Sequence, residues 1–158
     1  MEINKLIAEI KAGPSDITLY PGATQQLIDE FQLQTGILLP DELAHFYREC
    51  NGFESAEDLF RIIPLDEALA TRSHDMAVHH VKANQFYIAE YLIYCDMWTI
   101  EIESGQLSVY KIIGGTGAVP TVLTHSFAAF LTRFLAGGVF DDGGLYKWEE
   151  ERIREGSN

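Results

Sequence analysis

The chain has 158 residues, 47% of them hydrophobic, and sets 24 Asp and Glu against 11 Lys and Arg for a formal net charge of −13. That length and composition suit one folded domain with its own core and exclude a disordered chain. The charge argues against nucleic acid, whose phosphates need clustered Lys and Arg, and favours a basic protein as partner.

In chain order, Ile3, Leu6, Ile7 and Ile10 make one apolar stripe at helical spacing, stopped by Gly13-Pro14. This start lacks the basic beginning and the unbroken apolar stretch of a signal peptide. No apolar run approaches the roughly 18 residues of a membrane span, so a cytoplasmic protein without a membrane partner is expected. Ile17, Leu19 and Tyr20 read as a brief extended link ending at Pro21. A second helix is expected over 23–35, with Leu27, Ile28 and Phe31 buried and Gly36 as its C-terminal residue. Pro40 starts a third helix, where its missing N–H costs nothing, and Asp41 and Glu42 suit that helix's positive end. Its stripe is Leu43, Phe46, Tyr47 and Cys50, and Asn51-Gly52 ends it.

A strand-like run at 59–63 is closed by Pro64. Residues 65–70 look like a helical turn, and 71–85 read as a loop or an irregular helix. Strands are then expected over 86–94, 97–102 and 107–113. In the second of these, Trp98, Ile100 and Ile102 alternate with Met97, Thr99 and Glu101, and Ser104-Gly105 turns the chain into a hairpin. The last core helix spans 126–135, with Ser126 as N-cap, Phe127, Phe130, Leu131 and Phe134 on its stripe, and Gly137-Gly138 at its end. A charged helix follows at about 145–154, with Glu149, Glu150 and Glu151 facing Arg152 and Arg154. Helices, then a meander of strands, then a helix imply a single α+β domain over 1–158. Its antiparallel sheet should hold about four or more strands, with helices packed around it.

Reaction chemistry finds little support. His74, Asp75, His79 and His80 fall within seven residues, and Asp75 and His79 would share a helix face able to hold a metal. No His-Glu-x-x-His accompanies them, so a polar loop beside the sheet is the better reading. Gly114-Gly115-Thr116-Gly117 lacks the lysine of a phosphate loop and reads as a turn. No Gly-x-Ser-x-Gly occurs. Cys50 and Cys95 sit in apolar segments and are expected to be buried free thiols. No catalytic residue, metal or cofactor is assigned.

Acid placement says more. Residues 41–67 hold eight acids against Arg48 and Arg61, a net −6. Much of that charge lies in the stretch Glu54-Ser55-Ala56-Glu57-Asp58, which would form a negative rim beside the sheet. Tyr87, Tyr91, Tyr94 and Trp98 are the candidate aromatic centre, since aromatic anchors inside a polar rim are typical of protein interfaces. About half of these aromatics are expected in the core instead.

Taken together, several short motifs resemble a known family. They are Gly22-Ala23-Thr24 opening a helix with Ile28 and Phe31, then Gly36-Ile37-Leu38-Leu39-Pro40, Leu43, Phe46-Tyr47 and Asn51-Gly52. Downstream come Phe60, Ile62-Ile63-Pro64-Leu65, Trp98-Thr99-Ile100-Glu101-Ile102, Ser126-Phe127 and Phe130-Leu131. The pattern resembles the SUKH superfamily, the Smi/Knr-type domain, over about residues 20–136. Residues 1–19, a helix and link, and 137–158, a charged tail, lie outside the likeness. Members often carry a Gly-Asp pair ahead of the central strand. Here that stretch is Tyr94-Cys95-Asp96-Met97-Trp98, a departure from the family pattern in that the glycine is missing; Asp96 is kept among the candidate surface residues.

The resemblance implies a non-enzymatic binding protein. Bacterial members are largely immunity proteins that neutralise toxins, often nucleases or deaminases, and related fungal domains act as regulatory scaffolds. An immunity protein with a basic cognate toxin is therefore expected first and a scaffold or adaptor second. A metal-dependent enzyme using His74, Asp75 and His79 comes third. The expected partner surface is Glu54, Glu57, Asp58, Tyr87, Tyr91, Tyr94, Asp96 and Trp98.

Overall fold

The computed structural model describes residues 2–13, 16–103, 109–114 and 120–156. Helix α1 (Glu2–Ala12) buries Ile3, Leu6, Ile7 and Ile10, the stripe read from its spacing. The expected link after it is in fact a strand, β1 (Ile17–Pro21). Helix α2 (Gln25–Thr35) starts on Thr24, whose hydroxyl accepts the Leu27 N–H at 3.1 Å. It stops at Gly36, where φ is 73°. Helix α3 (Asp41–Glu49) follows Pro40.

The expected stop at Asn51-Gly52 is a strand. The chain leaves α3 directly into β2 (Cys50–Ser55), which pairs with β1. Asn51 keeps a capping role elsewhere: its side-chain oxygen accepts the Leu65 N–H at 2.8 Å at the start of α4 (Leu65–Val78). Gly52 has φ 92°, and a Cβ there would lie 2.3 Å from the Ile62 carbonyl oxygen, so the close approach of β2 to the chain end of β3 (Phe60–Ile62) requires glycine.

Helix α4 runs through most of the segment read as a loop. Only Leu65 and Ala68 of it are buried, so its C-terminal half carries no apolar stripe by which a sequence reading could find it. Strands β4 (Gln85–Tyr91) and β5 (Asp96–Ile102) are central, then β6 (Tyr110–Gly114), an unexpected β7 (Thr121–Thr124), α5 (Phe127–Gly137) and α6 (Leu145–Gly156). Ser104-Gly105, the first residues of the expected strand 107–113, and Gly115-Thr116-Gly117 lie outside the described residues.

The described strands form one sheet in the order β1-β2-β3-β4-β5-β6-β7, every pair antiparallel. The protein is thus α+β. Trp98, Ile100 and Ile102 of β5 enter the core, as their alternation predicted. Phe60 is the hub of that core. Its ring stacks on Phe134 at 4.2 Å and meets Trp98 edge-on at 5.5 Å.

The C-terminal helix is more than a charged tail. Leu145 and Trp148 are buried, and Arg133 and Arg152 place their guanidinium groups 5.5 and 5.6 Å from the Trp148 ring. Arg152 also donates to the Leu123 carbonyl at 3.1 Å, fastening α6 to β7. Around this helix Glu150 pairs with Lys147, Arg152 with Glu155 and, across helices, Glu151 with Arg133. The thiols also divide. Cys50 is buried in the core, but Cys95, expected buried, is exposed because it falls in the β4–β5 turn rather than in a strand. Among the described residues no helix is long and apolar enough to cross a membrane.

Candidate functional site

Strand alternation sends one set of side chains to the core and the other to the outer face of the sheet. On β2, β3, β4 and β5 the outer set runs in register as Glu54, Arg61, Glu90 and Met97. A bulge between Tyr87 and Ala89 also puts Tyr87, opposite Thr99, on that face.

Arg61 organises this face. It donates to Glu90 at 2.8 Å, takes Glu67 of α4 in a two-pronged pair at 3.2 and 2.6 Å, and donates to the Tyr94 hydroxyl at 3.2 Å. Burial works to lower the Arg61 pKa, but the hydrogen bonds to Glu67 and Glu90 outweigh it and leave the guanidinium raised and charged. The Tyr94 hydroxyl donates to Glu67, and its backbone N–H donates to the Glu90 carboxylate. Burial first, then Glu67, pushes the Tyr94 phenol up to about 12. Beside this network, Tyr20 donates to Glu54 at 3.0 Å.

The network holds an unusual turn. Leu92, Ile93 and Tyr94 have φ of 52°, 52° and 62°, three consecutive left-handed residues without a glycine. Each costs about 1–2 kcal/mol relative to right-handed backbone. The turn is held by Cys95 N–H to the Tyr91 carbonyl at 3.0 Å, Leu92 N–H to the Leu59 carbonyl at 2.9 Å, and the Tyr94–Glu90 bond.

Next to the turn lies a groove of about 930 Å³. Its floor is Tyr87, Met97, Thr99 and Ile113; one wall is His74, Asp75, His79 and His80 at the end of α4; its end is Tyr94, Cys95 and Asp96. His74 meets His79 at 5.4 Å and His79 meets Tyr87 at 6.4 Å between ring centroids. Asp75 accepts the Thr71 hydroxyl at 2.8 Å. The Asp96 carboxyl is raised by burial, against the lowering effect of hydrogen bonds from the Tyr146 hydroxyl at 2.7 Å and the Met97 N–H at 2.9 Å. Among the described residues no three His, Cys, Asp or Glu are placed to hold a metal ion, so His74, Asp75 and His79 form a wall and do not assemble a ligand set.

The sequence-chosen residues therefore divide. Tyr87, Tyr94 and Asp96 meet at the groove, and Glu54 is exposed on the same sheet face. Glu57 is exposed in the β2–β3 turn; Asp58, beside it, accepts the Val139 N–H at 3.3 Å and so ties that turn to the α5–α6 loop. Tyr91 points to the opposite side and packs on Phe140 at 5.2 Å and Tyr146 at 6.2 Å. Trp98 is a correction: it is 1% exposed, enclosed by Phe60, Phe130 and Tyr146, and offers no surface. Sequence reasoning missed Glu67 and Glu90. The signal available was Arg61, one of only two cations in an acidic stretch and set between apolar strand residues, where a charge requires partners.

The buried phenols set an alkaline limit. Burial raises Tyr47 and Tyr110 above the ordinary tyrosine value, so the unfolded chain loses these protons first. Stability is unaffected below about pH 10 and falls above it, by about 1.4 kcal/mol per pH unit for each phenol kept neutral in the fold. Urea midpoints from pH 8 to 11, with tyrosinate absorbance, check this. A flat profile to pH 11 contradicts it.

No curated protein matches this chain. A family model does, over residues 22–133, from the approach to α2 through most of α5. A match of that length, covering more than half the chain, shows that this protein belongs to the SMI1/KNR4 family (SUKH-1).

Proposed function

We propose that the protein is a binding module that neutralises a basic toxin domain by direct, non-covalent contact. The observation that carries this reading is the groove: its described lining contains Asp75, Asp96, two tyrosines and three histidines but no Lys or Arg. Such a concave, cation-free surface suits Lys and Arg side chains, which carboxylates pair and tyrosine faces attract. The net charge of −13 extends that preference over the molecule and favours fast, steered association. Family membership supports a protein partner, and a toxin that itself holds nucleic acid would present the matching basic surface.

The test is co-expression with the product of the adjacent reading frame. That product alone should arrest growth, and this protein should relieve the arrest and co-purify with it. Raising salt from about 0.05 M to about 0.5 M is expected to weaken binding by roughly tenfold or more, mainly through the association rate. A neighbour that is neither toxic nor bound removes the toxin reading and leaves an adaptor role. Salt-independent binding removes the electrostatic account.

A further inference from the structure

Four residues at one end of the sheet hold left-handed backbone without being glycine: Leu59 (φ 54°) in the β2–β3 turn, and Leu92, Ile93 and Tyr94 in the β4–β5 turn. A branched side chain such as Ile93 is the least suited of all to that conformation, and glycine or asparagine would hold it with less strain. Tyr94 is accounted for by its bonds to Arg61 and Glu67. The other three gain little from the fold. Ile93 is 85% exposed, Leu59 52% and Leu92 39%. Strained backbone that displays apolar side chains to solvent is better explained by a bound partner than by folding.

The three belong to one surface. Leu92 N–H donates to the Leu59 carbonyl, which joins the two turns. Phe140, 51% exposed in the α5–α6 loop, stands against Tyr91 of β4, and Asp58 binds Val139 beside it. The connecting stretches 56–59, 92–95 and 138–144 contain Glu57, Asp58, Asp141 and Asp142 and no Lys, Arg or His, and Asp96 opens β5 beside them, a fifth acid. Apolar side chains in an acidic surround select among occupants. A second copy of this chain would set acid against acid, and an anionic lipid surface would be repelled. A protein with an apolar depression flanked by Lys and Arg is complementary.

We propose that this end of the sheet anchors the basic protein partner, with Ile93, Leu92, Leu59 and Phe140 entering its apolar depression while the five acids meet its cations. The inference rests on the binding-module reading above and adds the surface that does the binding. The Tyr94-Cys95-Asp96 turn borders both this patch and the groove, so one partner can span them.

The test uses the full-length protein and, as probe, the product of the adjacent reading frame carrying an inactivating substitution. Ile93→Asn and the double change Leu59→Asn with Ile93→Asn keep residues that tolerate left-handed backbone without adding the chain entropy of glycine. The expected result is an unchanged or higher urea midpoint together with a loss of affinity of roughly tenfold for the single change and roughly a hundredfold for the double. If the wild type binds the probe and both variants bind within twofold of it, the anchoring surface is wrong and the binding-module reading stands. If the wild type does not bind, the anchoring proposal and the toxin reading fall together. A lowered urea midpoint shows that these side chains serve the fold, and a concentration-dependent dimer abolished by Ile93→Asn shows that a second copy is the occupant. Either result overturns the proposal.

Discussion

Replacing Glu90 by alanine is expected to lower the unfolding free energy by about 3–5 kcal/mol, the usual cost of removing one partner from a buried ion pair. Glu90 is 3% exposed in the middle of the sheet. One oxygen accepts from Arg61, and the other accepts the Tyr94 N–H. Truncation leaves the half-buried guanidinium with Glu67 as its one carboxylate beside the Tyr94 hydroxyl, and takes away an acceptor that holds the left-handed turn. Glutamine at the same position keeps volume and one acceptor oxygen, so Glu90→Gln should lose less than alanine. Urea unfolding followed by far-UV circular dichroism measures both. A loss below about 1 kcal/mol for Glu90→Ala would mean that the pair behaves as an exposed surface bridge. The same variants connect stability to the proposed binding, because the turn that Glu90 holds forms one end of the groove.

Trp98→Ala should be as damaging by a different route. The side chain is 1% exposed and lies between Phe60, Phe130 and Tyr146, so its removal leaves a large cavity in the core. Such truncations cost about 3–5 kcal/mol. Trp98→Phe retains most of the packing and should fold with a smaller loss. The diagnostic readout is partner affinity measured on folded Trp98→Phe. It is expected within about twofold of wild type, since no part of Trp98 reaches the surface; a tenfold loss at preserved stability would place this residue in the interface after all.

The grouping of Tyr87, Tyr91, Tyr94 and Trp98 as one aromatic centre shows where sequence reading stops. Simple alternation along β4 puts Tyr87 and Tyr91 on one face. The bulge between Tyr87 and Ala89 reverses the parity, so Tyr87 and Glu90 look outward while Tyr91 turns to Phe140. A bulge leaves no local signature in Phe86-Tyr87-Ile88-Ala89, because every residue there suits a strand on either face. Strand β2 was hidden for a related reason. Asn51-Gly52 is a turn signal by composition, yet here the glycine admits the Ile62 carbonyl and the asparagine caps α4. Strand β7, Thr121–Thr124, is four residues long and gains its order from β6 and from Arg152 of α6.

What this sequence determined by itself is what near neighbours in the chain can decide. The stripe of α1, the Thr24 and Ser126 caps, the Gly36 stop and the alternation of β5 each depend on residues within a turn or two of one another. The acidic balance and the family likeness also needed no coordinates. Tertiary structure decided which charges meet between elements. Arg61 finds Glu90 across a strand pair and Glu67 across a helix, Asp58 holds a loop more than eighty residues away at Val139, and the left-handed turn brings Leu92 to Leu59. Those contacts depend on strand register and on one bulge, and register is a property of the assembled sheet, where a shift of one residue exchanges the two faces.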